Sequence, residues 1–140
     1  MNLNFRIATL LIAGLLLTSL GLAQEKNTPK GQDKSFSGYL VDKNCGTMIG
    51  KKDKEKAMTM GKKHSVACAL DEACMASGYG LVHEGEFLPF DDDGNSLAVT
   101  YLESLSKKND VFVTVSARRE GMVLHVSKIS DEETSISKKW

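Results

Sequence analysis

Hydrophobic and polar positions along the chain fall into three rhythms. One is an unbroken apolar run near the start, Ile7 to Leu20. A second has a period of two. Phe36 to Val41 (FSGYLV) sets Phe36, Gly38 and Leu40 on one face. Tyr79 to His83 (YGLVH) and Phe87 to Phe90 (FLPF) are short runs of similar kind. From Val111 to Ala117, Val111, Val113 and Val115 alternate with Phe112, Thr114 and Ser116, and Met122 to Ile129 closes the series. Successive side chains of an extended strand point to opposite faces, so these runs predict five strands. The third rhythm is helical: Leu97, Ala98, Tyr101, Leu102 and Leu105 make one apolar face and predict a helix capped by Asn95.

Breaks between the runs organise them. Asp42-Lys43-Asn44 ends the first strand. Glu84-Gly85 is a tight-turn signal that joins the second and third strands as a hairpin, and Pro89 marks an edge or a bulge. Arg118 to Gly121 reads as the turn between the last two strands. Residues 43–78 carry no strand rhythm. Within them, Lys51 to Lys63 (KKDKEKAMTMGKK) reads as a solvated loop or weak helix, and His64 to Leu70 as a helical turn or two. Asp71 caps a second short helix, DEACMAS, which Gly78 ends in a left-handed conformation. The expected fold is mainly β with short helices. It is an OB-fold-like five-stranded barrel with a Cys/His-containing helical insert, residues 43–78, between strands one and two. Arg118 and Arg119 would occupy the other loop beside the usual binding face of that architecture.

The opening run changes the domain picture. Arg6, the short apolar core and the Gly21-Leu22-Ala23 exit have the layout of a secretory signal peptide cleaved after Ala23, and the core is short for a bilayer span. The expected organisation is a signal peptide over 1–23, a flexible polar lead-in over 24–34, an OB-like domain over 35–130 and a polar tail over 131–140. The mature chain is expected in the periplasm or secreted, with no membrane span. Eighteen basic against eighteen acidic residues leave no net charge. Lysines 51, 52, 54, 56, 62 and 63 with Arg118 and Arg119 form a basic run, but neutrality and few aromatic stacking platforms speak against nucleic acid. No Ser-His-Asp spacing, phosphate loop or paired-carboxylate motif points to hydrolase chemistry. Asp91 to Asn95 (DDDGN) lacks the alternation and glycine position of a calcium loop and reads as a turn.

The insert holds the candidate chemistry. Its three cysteines, the only ones in the chain, are Cys45, Cys68 and Cys74, and His64 stands four residues before Cys68. Three thiolates and an imidazole are an accepted tetrahedral zinc set. Thiolates, with Met48, Met58, Met60 and Met75 near in sequence, also suit Cu(I). Cys45, His64, Cys68 and Cys74 are therefore candidate metal ligands for zinc or copper. Export equally allows a disulfide with one thiol left over, which would make the insert a stapled surface for another envelope protein or component. His64 beside a cysteine also allows a thiol redox partner. His83 and His125, single on predicted strands, read as exposed or structurally satisfied.

GYLVD followed by a Cys, His-x-x-x-Cys-Ala, a further Cys, SGYG and the GEFLPFDDDGN hairpin resembles a group of small exported bacterial proteins of uncharacterised function. Gly38-Tyr39-Leu40, Cys45, His64, Cys68-Ala69, Cys74 and Ser77 to Gly80 carry the likeness. It implies an OB-like barrel and export, and brings no activity with it.

Overall fold

The computed structural model describes residues 31–132. The expected signal peptide, the lead-in up to Lys30 and the tail from residue 133 lie outside the described residues. The strands are β1 (Lys34–Asp42), β2 (Tyr79–His83), β3 (Glu86–Pro89), β4 (Phe112–Glu120) and β5 (Val123–Asp131). All neighbours are antiparallel, in the order β3-β2-β1-β4-β5. The described residues are mainly this sheet, joined by five short helices: α1 (Lys43–Ile49), α2 (Lys54–Lys63), α3 (Val66–Ala69), α4 (Glu72–Ser77) and α5 (Asp92–Glu103). The first four occupy the insert between β1 and β2, where the sequence places it.

Both faces of the central strands are covered, and the period of two explains how. Leu40 and Leu81 face a core shared with Ala98 and Leu102 of α5 and with Val66 and Ala69 of α3. Val41 and Val82, one residue on, face the opposite side and meet Ile49 of α1 and Ala57 of α2. At Gly38 a Cβ would overlap the carbonyl of Val82, so the approach of β1 to β2 requires glycine there.

The sheet does not close into a barrel. β3 has four residues and ends at Pro89, which has no N–H to extend a ladder. The chain then leaves for α5, so β3 and β5 meet through a single parallel bridge, Phe90 to Leu124, and an Asp91 N–H···O=C Leu124 bond of 3.1 Å.

Three local expectations change. α5 is capped by Asp91, whose carboxylate accepts the Gly94 N–H at 3.0 Å. Asn95 lies inside the helix and takes the Tyr79 N–H at 2.8 Å instead; acidic residues in the first turn favour the earlier start. β4 continues through Arg118 and Arg119 to Glu120, leaving only Gly121 (φ +60°) and Met122 to turn the chain. Arg119 pairs with Glu86 of β3 at 3.3 Å rather than presenting itself in a loop. The lysine-rich run is a true helix, α2, because Asp53 caps it by accepting the Lys56 N–H.

Candidate metal centre

β1 ends at Asp42, and this residue turns the strand into α1. Its Oδ1 accepts the N–H of Cys45 at 2.9 Å, an N-cap that satisfies one of the free donors of the first turn. The same bond fixes Cys45 above the carboxylate. The ring of Phe87 lies against Gly46 and Gly80, where any side chain would overlap it, and so seats α1 on β2.

From the far side of the insert, α2 ends at His64, whose backbone is extended (φ −62°, ψ 130°). A new cap follows at once: Ser65 Oγ accepts the Cys68 N–H at 3.1 Å and starts α3. His64 and Cys68 are therefore not on one helix face, as their spacing predicts; a cap separates them. They converge because the joint is held down. Asp110 donates its N–H to Lys62 C=O at 3.0 Å, and Val66 donates to Lys108 C=O at 2.8 Å. Buried Tyr79 donates from its hydroxyl to Ala69 C=O at 2.8 Å and ties α3 to β2.

One donor atom from each of Asp42, Cys45, His64 and Cys68 lies within 4.8 Å of the other three. The side chains of Asp42 and His64 are 0% and 8% exposed, with Oδ2 and Nε2 2.8 Å apart. The two atoms are in ion-pair contact, but neither makes a hydrogen bond of good direction. A buried polar atom left in this state is costly, the more so on a carboxylate. Two thiols, an imidazole and a carboxylate are all ligands of a four-coordinate zinc ion, whose bonds of about 2.0–2.3 Å require donors roughly 3.3–3.8 Å apart. The Asp42–His64 pair, at 2.8 Å, must spread by about half an ångström to meet that requirement, and the remaining donors lie within 4.8 Å.

Among the sequence-predicted ligands, Cys45, His64 and Cys68 are thus brought together. Cys74, in α4, is outside this group of four but near it: burial, then the charge of Asp42 and the neighbouring Cys68, push its thiol up to about 11. The same causes in the same order push Cys45 up to about 12. Asp42 was not a sequence candidate; its signal was the Asp-x-x-Cys spacing of a capping residue three positions before a thiol. No pair of cysteines is bonded: all three are free thiols. The staple expected as one alternative is absent among the described residues.

The other histidines are engaged structurally. His83 Nδ1 lies 2.7 Å from Ser37 C=O with its ring edge-on to Phe36, and His125 lies between Asp91 (3.1 Å) and Glu120 (3.2 Å). A cleft of about 630 Å³ bordered by Tyr39, Asp110, Phe112, Asp131 and Glu132 is larger than the cavity of about 250 Å³ beside Cys45. Its carboxylates are occupied, Asp110 by Lys62 at 3.9 Å and Asp131 by the Tyr101 hydroxyl.

A thiol must lose its proton to bind a metal, and Cys45 and Cys74 hold theirs to high pH. Metal uptake should therefore release protons, and apparent zinc affinity should rise as pH rises from 6.5 to 8. Competition titrations at the two values check this; equal affinity would mean that Cys45 and Cys68 are not ligands. No protein-family model, curated protein or solved structure matches the chain.

Proposed function

We propose that this is a small exported protein that binds a borderline or soft metal ion, zinc or copper, through its insert. Asp42, Cys45, His64 and Cys68 hold the ion, with Cys74 beside them. The observation that carries the reading is the buried pair Asp42 Oδ2 and His64 Nε2, facing each other without a hydrogen bond in the company of two thiols. A cation between these donors would satisfy every one of them.

The scaffold we assign is an OB-like barrel opened at one seam. In support, a helix lies between the third and fourth strands, β1 pairs with both β2 and β4, and the single parallel bridge falls between β3 and β5. Export is supported by the sequence layout of residues 1–23.

The test is metal analysis of the mature chain purified under reducing conditions and then titrated with Zn(II) and with Cu(I). One tightly held ion per chain is expected, lost in His64→Ala. A native chain that retains neither ion after titration would remove this function.

A further inference from the structure

A cavity of about 250 Å³ opens directly on the centre. It is lined by Cys45, Met48, Ile49, Met60, Lys63 and His64. Two of the four donors form part of its wall, and the rest of that wall holds two thioethers, an aliphatic side chain and one lysine. We propose that this cavity is the port through which a soft monovalent ion, Cu(I) or Ag(I), reaches the centre, with Met48 and Met60 as its first ligands. The proposal rests on the metal-binding reading above and names the ion and its route.

Helix geometry places each sulfur beside a donor. Met48 follows Cys45 by three residues in α1, and Met60 precedes His64 by four at the end of α2. Within α1 that spacing puts Met48 on the helix face of Cys45, while Met60 lies in the last turn of α2, just before the extended His64. The four methionines of the insert divide accordingly. Met75 packs against the main core, and Met58 and Met60 against the smaller one, but only Met48 and Met60 border the cavity. Met48 is 57% exposed, one of three large apolar side chains so placed among the described residues. It stands at the mouth, where packing does not account for it.

The wall chemistry selects the ion. Thioethers are neutral and soft; they bind Cu(I) and its congener Ag(I) and are poor ligands for Zn(II) and harder cations. No carboxylate borders the cavity, so nothing there attracts a hydrated divalent ion. Lys63 stands at the wall, and its repulsion of a doubly charged ion is twice that of a singly charged one. Transfer inward is a ligand exchange without change of oxidation state. A metal–thioether bond breaks, a bond from the metal to Cys45 Sγ forms, and the thiol proton leaves to solvent.

Loading kinetics of the mature chain test this, with Ag(I) and Zn(II) as separate probes. Met48→Leu/Met60→Leu removes both sulfurs at nearly constant volume, and Met58→Leu controls for packing. The double variant should load Ag(I) about ten-fold more slowly than the native chain, the lower end of what losing an accessory metal partner costs, with Zn(II) loading unchanged. The control should load both ions as the native chain does. Unchanged Ag(I) loading in the double variant overturns the port and leaves the centre standing. Equal slowing of both ions, slowing in the Met58→Leu control, or a native chain that takes Zn(II) but refuses Ag(I), also overturns it. A native chain that binds neither ion removes the centre itself.

Discussion

Asp42→Asn should weaken zinc binding by about a hundred-fold while leaving the metal-free fold nearly as stable as before. The two halves of this result have different causes. The carboxylate has two duties on two oxygens: Oδ1 caps α1 through the Cys45 N–H, and Oδ2 faces His64 without a hydrogen bond. Asparagine keeps the cap acceptor and puts an uncharged amide of the same shape where the buried carboxylate stands. Stability of the chelator-treated chain should then stay within about 1 kcal/mol of native, the scale of one hydrogen bond. What asparagine loses is the anionic ligand. Four-ligand zinc sites are worth about 10–16 kcal/mol, so one ligand accounts for roughly 3 kcal/mol, or two powers of ten. Zinc competition and denaturation of the metal-free chain separate the two halves. Native-like zinc affinity in this variant would exclude Asp42 from the ligand set. Asp42→Ala differs usefully, because it also loses the cap, a further cost of about 1 kcal/mol without metal.

Gly46→Ala should have the largest effect on the fold itself. The added methyl would lie inside the ring of Phe87, and that ring also lies against Gly80, where a Cβ would be 2.5 Å away. The ring cannot retreat toward that backbone, so α1 must lift from β2. Overpacking of this kind costs about 1–3 kcal/mol, and a ring already against the Gly80 backbone places the change at the upper end. Cys45 precedes the altered residue, so zinc affinity should fall as well. Phe87→Leu in the Gly46→Ala background gives the methyl room and should recover part of both losses. Urea denaturation of the two single variants and the double variant measures the coupling. Additive losses would mean that the ring does not seat the helix.

The strands were legible because alternation is a property of the backbone itself. FSGYLV and VFVTVSA announce a strand whatever surrounds them, and the observed β1 and β4 extend each by a few residues. The location of the insert followed from the absence of any such rhythm. Helix α1 was not legible. Lys43–Ile49 has no apolar stripe, and it forms because Asp42 caps it and Phe87 holds it down, the second being a contact made through the fold. Asp42 was hidden for the same reason, since an aspartate at the end of a strand is the ordinary mark of a turn. Cys45, His64 and Cys68 were found because thiols and imidazoles are few. Their convergence depends on the strap from Lys108 and Asp110, which no local pattern announces. The barrel was expected from strand order, and order does not reveal that β3 stops too soon to close the seam.

The insert departs and returns at almost the same point. Lys43 donates its N–H to Gly78 C=O at 2.8 Å, and Asp42 pairs with Tyr79 across β1 and β2. The strands on either side would thus make an ordinary hairpin if everything between were cut away. An excursion with its ends already sutured can be acquired, exchanged or discarded in evolution as one cassette. Asp42, left behind on the strand, and the Val41 and Val82 side chains the cassette had covered would record that it had been there.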